Sequence, residues 1–309
     1  MSRLVAITGA TGFIGGRLLG RLRAEGWQVR ALSRTPRPSS TGLQWIRGCL
    51  EDVPSLVHLL EGVEAVVHCA GAVRGAGPSD FDPVNVQGVA NLVEAALSRP
   101  VPPRLLALSS LAAREPRLSA YAASKRRGET VLETAGARLS WTALRPPAVY
   151  GPGDRELLPL FRLMARGIAP LLGPREARFS LLYVDDLADA LLCWLRLDAC
   201  PRGIFELHDG RRGGYSWDEV ADIAARVRGA PVRRLPVPGW LLWCLGGLGL
   251  AWGRLSGRPP MLTPGKVREL RHGDWVCDDG PWRAQTGWAP ATDFSRGLRL
   301  TLDAARPGA

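Results

Sequence analysis

The chain contains very little lysine for a basic protein. Lys125 and Lys266 are its only lysines among 309 residues, yet the formal net charge is +11. The arginines that carry this charge are scattered, without a dense basic run or an interleaved aromatic stripe, so we predict no nucleic-acid partner. We interpret the charge as a solvated, arginine-rich surface, with an anionic lipid surface or a phosphorylated ligand as alternatives.

Cysteine and histidine are also sparse and show no ligand-like spacing. The six cysteines include no C-x-x-C pair, and the four histidines form no cluster in the sequence. We therefore predict no metal site and interpret the cysteines as small buried hydrophobes in a reducing compartment. The first strand begins within a few residues of Met1, so we expect no signal peptide and a cytoplasmic location.

The first segment with a specific pattern is a glycine-rich turn between a strand and a helix. Residues 4–7 form an apolar run typical of a buried parallel strand, and the sequence TGATGFIG follows them. Gly9 permits the tight turn, Gly12 lets the backbone approach a pyrophosphate, and Gly15 lets the helix pack closely on the strand. The helix N-terminus then faces the phosphates, which predicts a dinucleotide site; a turn without a ligand is the alternative.

The end of the second strand, residues 27–32, indicates which dinucleotide is bound. An NAD site carries an acidic residue about 20 residues beyond the glycines, but this chain has Ser33 and Arg34 there. A hydroxyl and a planar guanidinium suit a 2′-phosphate, which favours NADP(H) over NAD(H). The alternative is that Arg34 is an ordinary surface residue.

Strand and helix patterns alternate along the first half of the chain. This alternation, with short connections, predicts an α/β fold with a right-handed, doubly wound parallel sheet. The predicted strands are residues 43–46, 64–71, 104–108 and 141–144, and the predicted helices are residues 55–60, 83–97 and 121–134.

Tyr121 and Lys125 lie four residues apart on one predicted helix face, after a serine pair that ends a strand. A tyrosine with a pKa of about 10 is a poor base at neutral pH, but a lysine ammonium one turn away favours the phenolate. With a serine hydroxyl to hold a substrate oxygen, this pattern indicates general acid–base catalysis beside a hydride carrier. An exposed helical pair without a catalytic role is the alternative.

These motifs together resemble the extended short-chain dehydrogenase/reductase family, the NAD(P)-dependent epimerase/dehydratase group. The resemblance implies a Rossmann-type core over residues 1–150, to which residues 176–200 return, and a smaller C-terminal substrate lobe mainly from residues 151–175 and 201–309. Residues 204–208 are predicted as a strand of that lobe. The matching segments are TGATGFIG, VVHCAG, NVQGVANLVEAA, LSS, YAASK, RPPAVYGPGD and LLYVDDLADAL.

The resemblance also implies roles for single residues. Tyr121 corresponds to the catalytic acid/base, Lys125 to its partner and a ligand of the nicotinamide ribose, Ser110 to the substrate-orienting serine with Ser109 as the alternative, and Asn85 to a member of a proton relay. The predicted cofactor-binding residues are Gly9, Thr11, Gly12, Phe13, Ile14, Gly15, Ser33, Arg34, Leu50, Ala70, Gly71, Tyr121, Lys125, Pro146, Pro147 and Ala148.

One departure from the family pattern concerns adenine. Cys49 stands where the family often has an aspartate, and a thiol accepts the adenine amino group poorly. Leu50, Glu51 and Asp52 are the alternatives for that contact. The family also implies a dimer face built from residues 83–97 and 121–134, so we expect a homodimer or a monomer.

An uncharged, tryptophan-rich segment at residues 235–253 has no counterpart in these motifs. Its continuous part, residues 240–252, is about 20 Å long as a helix, which is short of a membrane span of about 30 Å. Three interpretations remain: buried core of the small lobe, a lipophilic substrate pocket or dimer face, and a peripheral membrane contact through residues 237–255.

The predicted activity is hydride transfer between NADP(H) and a secondary alcohol or ketone. The apolar segment favours a lipophilic small-molecule substrate, sterol-like or isoprenoid-like. A nucleotide-sugar epimerase with tightly bound NAD is one alternative, and a non-catalytic NADPH-binding scaffold or sensor is another. Residues 111–113 lack the acid pair that a dehydratase carries after the serine, which argues against dehydration.

Overall fold

A computed structural model describes residues 4–256 and 259–306. The first half of the chain forms β1 (Leu4–Thr8), α1 (Phe13–Ala24), β2 (Gln28–Ser33), β3 (Leu43–Arg47), α2 (Val53–Leu59), β4 (Ala65–His68), α3 (Pro78–Asp82), α4 (Gly88–Leu97), β5 (Arg104–Leu108), α5 (Ala120–Ala135) and β6 (Trp141–Arg145). A π-helical turn, Pro83–Gln87, joins α3 to α4, and 3₁₀ turns at Leu111–Arg114 and Gly136–Arg138 flank α5.

The second half has shorter strands. It forms β7 (Ala148–Tyr150), α6 (Leu158–Ala165), β8 (Ile168–Leu171), β9 (Arg178–Phe179), β10 (Leu181–Tyr183), α7 (Val184–Arg196), β11 (Gly203–Glu206), α8 (Trp217–Arg228), β12 (Arg233–Pro236), α9 (Gly239–Ser256), α10 (Pro264–Arg271), β13 (Asp274–Trp275), α11 (Gly280–Thr286) and α12 (Phe294–Asp303).

A seven-stranded parallel sheet organises the described chain. Its strand order is β11-β6-β5-β4-β1-β2-β3, so the order reverses at β1. Ile7 of β1 lies between Ala31 of β2 and Val67 of β4. The predicted doubly wound α/β fold is confirmed, and the crevice at the carboxyl ends of β1 and β4 is where such sheets bind ligands.

The position of β11 corrects one prediction. Residues 204–208 were expected in the smaller lobe, but Gly203–Glu206 pairs in parallel with β6 at the edge of the central sheet. The buried Phe205 side chain packs with the core on the α1 side of the sheet. The sequence of a short apolar strand is compatible with the smaller lobe and with the central sheet, and only the pairing with β6 distinguishes the two.

Apolar side chains cover both faces of the sheet, and a third cluster lies apart from it. Leu18 of α1 and Leu191 of α7 pack on one face, and Leu92 of α4 and Leu132 of α5 pack on the other. The third cluster is built from side chains of β7, α6, α8 and α12, including Tyr150, Phe161, Val220 and Phe294. The division into core and substrate lobe remains a prediction.

The helix α9 contradicts the buried-core interpretation of the tryptophan-rich segment. Trp240 and Trp252 are 68% and 70% exposed, and Leu248 and Leu255 are 67% and 84% exposed. The opposite side of α9 packs on α10 through Leu242 and Gly246. Within residues 4–256 and 259–306, no helix combines the length and apolar character needed to cross a membrane.

Candidate active site

The glycine turn after β1 packs tightly against the loop after β4. Gly9 has a φ of +72°, and a Cβ there would lie 2.5 Å from the backbone nitrogen of Ala70. The Gly12 N–H donates to the Gly9 carbonyl at 2.9 Å, which closes the turn. A Cβ at Gly15 would lie 2.3 Å from the Gly9 carbonyl oxygen, so α1 approaches the turn as closely as a glycine allows.

The N-terminus of α1 is open to an anion. Gly12 is its N-cap and provides no side-chain acceptor, and the first turn carries no acidic residue. Thr11 and Gly12 are exposed, whereas Phe13 and Ile14 are half-buried. The uncapped N–H groups and the positive end of the helix dipole fit the pyrophosphate of a dinucleotide.

A cavity of about 460 Å³ lies beyond the carboxyl ends of β2 and β3, lined by Arg34, Arg47, Gly48, Cys49 and Asp52. Arg34 is predicted here by the sequence, whereas Arg47 is not; Arg47 reaches the cavity because its position pairs with Ser33 across β2 and β3. Two guanidinium groups in one cavity fit a phosphate. Asp52 places a carboxylate in the same cavity as Cys49, which stands where the family often has an aspartate.

Two other residues predicted at this end support the cavity from the core side. The Ser33 hydroxyl donates to the Thr35 carbonyl at 2.8 Å, and its side chain is buried. Leu50 is also buried, and its carbonyl accepts from Asn91 Nδ2 at 2.8 Å. The Ser33 hydroxyl is thus engaged within the chain, and Arg34 presents its side chain to the cavity.

Asn85 lies in the π-helical turn between α3 and α4. Its side chain donates to the Ala72 carbonyl and to Ser124 Oγ, each at 2.9 Å, and accepts from the Ala72 N–H at 2.9 Å. A Cβ at Gly71 would lie 3.4 Å from Asn85 Oδ1 and 2.9 Å from Lys125 Nζ. Asn85 therefore joins the loop after β4 to α5.

Tyr121 and Ser110 meet at the carboxyl end of β5. The Ser109 hydroxyl donates to Glu129 at 2.6 Å. Burial raises the pKa of Tyr121, and the Ser110 side chain near the phenol opposes this shift. Of the two serines, Ser110 is the one next to the tyrosine hydroxyl.

Lys125 is buried below this pair. Its Nζ donates to the Leu108 carbonyl at 3.0 Å. Burial lowers the pKa of Lys125 to about 8, and the charge of Glu129 opposes that shift. Burial and the charge of Lys125 lower the pKa of His68 to about 3, so the imidazole that bonds Thr8 Oγ1 at 2.7 Å is neutral at physiological pH.

The segment after β6 forms another wall of the crevice. The Pro146 carbonyl accepts from the Leu111 N–H at 2.9 Å, which ties this segment to the turn after Ser110. Pro147 is half-buried and Ala148 is exposed. The structure thus brings the predicted residues of four loops to the carboxyl ends of the central strands.

Sequence reasoning missed Lys266 on α10. Its positive charge lowers the pKa of Tyr121, although the two residues lie far apart in the chain. No motif marks position 266, but the scarcity of lysine in the chain could have drawn attention to it. Lys125, the other lysine, lies one helical turn along α5 from the same tyrosine.

Comparison with known proteins agrees with this geometry. The model of the NAD dependent epimerase/dehydratase family matches residues 5–205. Ceramide reductase of Caulobacter vibrioides is 41% identical over 285 residues, covering 90% of this chain and 87% of that protein. The 2-alkyl-3-oxoalkanoate reductase of Stenotrophomonas maltophilia is 29% identical over 325 residues, covering 96% of this chain and 97% of that protein.

A solved structure has the same architecture. MoeE5 in complex with UDP-glucuronic acid and NAD is 25% identical, with a TM-score of 0.72, and covers 97% of this chain and 98% of that chain. The family match and the 41% identical relative confirm the resemblance noted in the sequence motifs. The protein belongs to the NAD dependent epimerase/dehydratase family and is an NAD(P)-dependent oxidoreductase or epimerase of the extended short-chain dehydrogenase/reductase type.

Proposed function

We propose that the protein transfers a hydride between NADP(H) and the secondary alcohol or ketone carbon of a long-chain, lipophilic substrate. The observation that carries this proposal is the proximity of Ser110 to Tyr121, with buried Lys125 one helical turn along α5. Bound NADP(H) supplies the hydride for reduction or accepts it for oxidation.

Each side chain of the proposed site has one task. The Ser110 hydroxyl holds the substrate oxygen in line with Tyr121, whose phenol gives a proton to that oxygen during reduction and takes it back during oxidation. Lys125 holds the nicotinamide ribose and, with a pKa of about 8, is largely protonated at neutral pH. Asn85 holds the loop after β4 against α5 through its hydrogen bonds, and it belongs to the proposed proton relay.

We assign the cavity beyond β2 and β3 to the 2′-phosphate of NADP(H), with Arg34 and Arg47 as its ligands. The test is a tryptophan fluorescence titration with NADPH and with NADH. Arg34→Ala and Arg47→Ala should each weaken NADPH binding about tenfold or more and leave NADH binding unchanged, because each lost contact is charge-assisted. Arg23→Ala, at an exposed arginine of α1, is the control. Equal affinity for both cofactors in every variant would refute the assignment.

The substrate class is supported by two relatives and by the surface of α9. Their names give ceramide, a lipid, and 2-alkyl-3-oxoalkanoates, which are alkyl-substituted keto acids, as what they act on. Oxidation of NADPH with a panel of long-chain 3-oxo lipids tests the proposal. Turnover that Tyr121→Phe abolishes would support it, and activity confined to short, polar ketones would contradict the lipophilic part.

A nucleotide-sugar epimerase is the second candidate, because MoeE5 was solved with UDP-glucuronic acid and NAD. An epimerase keeps its NAD through purification and interconverts UDP-sugars without net consumption of cofactor. Tightly retained NAD with UDP-sugar turnover would therefore replace the reductase proposal. NADPH binding without turnover of either substrate class would favour a scaffold or sensor.

We further propose that α9 rests on an anionic membrane surface. Its apolar face, formed by Trp240, Trp243, Leu248, Trp252 and Leu255, is exposed along a helix of 18 residues, or about 27 Å. A helix of this kind lies in the plane of the headgroups with tryptophans at the boundary. The exposed side chains of Arg233 and Arg268 on neighbouring elements complement anionic headgroups.

Vesicle sedimentation tests this contact. The protein should sediment with phosphatidylglycerol vesicles and less with phosphatidylcholine vesicles, and salt should weaken binding. The double variant Trp240→Ser, Trp252→Ser should lose binding by about tenfold or more. Val101→Ser, at an exposed apolar residue away from α9, is the matched control, and binding of the double variant at wild-type strength would refute the contact.

For the assembly, we propose a homodimer through the groove between α4 and α5. This groove has a volume of about 790 Å³ and is lined in part by Val86, Val93, Leu97 and Val131. A second copy would pair these helices into a four-helix face. Sedimentation equilibrium measures the mass, and Val131→Asp should convert a dimer to a monomer; a monomeric wild type would overturn the proposal.

A further inference from the structure

A hydrogen-bonded chain connects α10 to the helix that carries Tyr121. Lys266 Nζ donates to Glu269 Oε2 at 2.9 Å. The other carboxylate oxygen of Glu269 accepts from the Ser119 hydroxyl. Ser119 is the N-cap of α5 and accepts from the Ala122 N–H at 2.9 Å. The Glu269 carboxylate thus links Lys266 to Ser119, which lies two positions before Tyr121.

Close packing fixes the relative position of these two helix ends. A Cβ at Gly265 would lie 2.9 Å from Ser119 Cβ, so the first turn of α10 touches the start of α5. Arg268 Nε donates to the Leu118 carbonyl at 2.6 Å, and Trp275 Nε1 donates to the Glu269 carbonyl at 2.8 Å. Close packing and hydrogen bonds therefore hold α10 against the start of α5.

The burial of the two charged groups differs. The Glu269 side chain is 6% exposed, whereas the Lys266 side chain is 34% exposed and reaches the open side of the interface. Burial lowers the pKa of Lys266, but the charge of Glu269 and its hydrogen bond outweigh burial and raise it above its ordinary value. Lys266 is therefore an ammonium throughout the pH range in which the protein functions.

We propose that Lys266 is a further functional residue of the active site, a cation that α10 places near the Tyr121 hydroxyl to stabilise the tyrosinate. Glu269 is its positioning residue, because it orients the ammonium and anchors it to the N-cap of α5. The proposal rests on the role assigned to Tyr121 and is independent of which substrate is bound. It makes the C-terminal part of the chain a contributor to acid–base chemistry.

The charges around this pair are consistent with that role. Burial raises the pKa of Tyr121, the charge of Lys266 lowers it, and the charge of Glu269 raises it. Glu156, in the loop before α6, also faces Lys266, and Arg74 pairs with Glu156 at 2.6 Å and offsets its charge. The other charged side chains of α10 and α5 are Lys125, Arg126, Arg127, Glu129, Glu133, Arg268 and Arg271, and Asp274 of β13 pairs with Arg114.

The direct test is a ¹⁹F NMR titration of protein labelled with 3-fluorotyrosine. The chain has four tyrosines, so the spectrum has four signals, and Tyr121→Phe assigns the relevant one. Fluorine lowers the phenol pKa and moves the titration to a milder pH. In Lys266→Met the Tyr121 midpoint should rise by about one pH unit or more, as expected for loss of a nearby unit charge. Lys266→Arg should restore it.

Two controls separate charge from structure. Arg117→Gln removes an exposed cation from the segment before α5 and should leave the Tyr121 midpoint at the wild-type value. Glu269→Gln leaves the ammonium but removes its anchor and the opposing negative charge, so the midpoint should fall or Lys266→Met should no longer shift it. Circular dichroism and thermal unfolding verify that each variant is folded.

Kinetics give a second readout once a substrate is known. One limb of the pH profile of kcat/KM, alkaline or acidic, reports the ionisation of Tyr121. In Lys266→Met this limb should move by the same number of pH units as the NMR midpoint. An unchanged NMR midpoint in Lys266→Met, or an equal shift in Arg117→Gln, overturns the proposal. Absence of turnover with every lipid ketone contradicts the proposed function instead, and the NMR titration still decides the role of Lys266.

Discussion

Neutral, buried His68 should make the stability of the protein depend on pH. Its imidazole lies at the end of β4, bonded to Thr8 and 2% exposed. Burial and the charge of Lys125 lower its pKa from 6.5 to about 3. In the unfolded chain the same group takes up a proton below about pH 6.5.

The sign and size of the effect follow from proton linkage. Between pH 6.5 and pH 3 the unfolded chain binds a proton at His68 that the folded protein does not, so acid favours unfolding. From pH 7 to pH 5 this one group should lower the free energy of unfolding by about 2 kcal/mol. The loss should continue toward pH 3 and then level off.

Urea unfolding at pH 7 and pH 5 measures this effect. His68→Asn keeps a polar atom for Thr8 but does not titrate, so its stability should fall by about 2 kcal/mol less than that of wild type over the same interval. His58→Asn, at an exposed histidine, is the matched control and should follow wild type. If His68→Asn and wild type lose equal stability on acidification, the assignment of a neutral, buried His68 is wrong.

Two further predictions concern packing near the site. Gly15→Ala places a methyl group 2.3 Å from a carbonyl oxygen of the glycine turn. It should lower the free energy of unfolding in urea by about 1–3 kcal/mol and weaken cofactor binding. Gly20→Ala in the same helix has open space around the added methyl group and should be neutral or stabilising. Glu129→Gln breaks a buried pair with Arg145, whose guanidinium donates at 2.6 and 2.7 Å, and should cost about 3–5 kcal/mol. Glu133→Gln, at a partly exposed carboxylate of the same helix, should cost about 1 kcal/mol or less; equal losses for both would contradict the second prediction.

The N-terminal half of the fold was predictable because its signals are local. The strand before Gly9, the glycine spacing and the apolar face of α1 all lie within one short segment. The helix over residues 83–97 was also predicted, but not that its first five residues form a π-helical turn. No residue type marks that turn, in which the Asn85 carbonyl lies against Gly128 of α5.

The parts that were missed depend on contacts between distant segments. Arg47 reaches the cavity of Arg34 through the register of β2 and β3, and α10, which carries Lys266, packs on the start of the helix that carries Tyr121. Residues 204–206 fit the central sheet and the smaller lobe equally well until the partner strand is known. In α9, the uncharged, apolar composition of residues 239–253 gave no indication of which side chains are exposed.

The distribution of lysine gives the protein an intrinsic chemical probe of its active site. Lys125 and Lys266 are the only side-chain amines in the chain. Lys125 lies one helical turn from Tyr121 on α5, and Lys266 lies on α10, whose first turn packs against the start of α5. An amine-selective reagent therefore labels the terminal amine and the region of the proposed active site. Lys266 is partly exposed and should be modified first, while buried Lys125 should react only when the crevice opens. The ratio of the two labelled peptides in mass spectrometry would then measure opening of the crevice without any substrate.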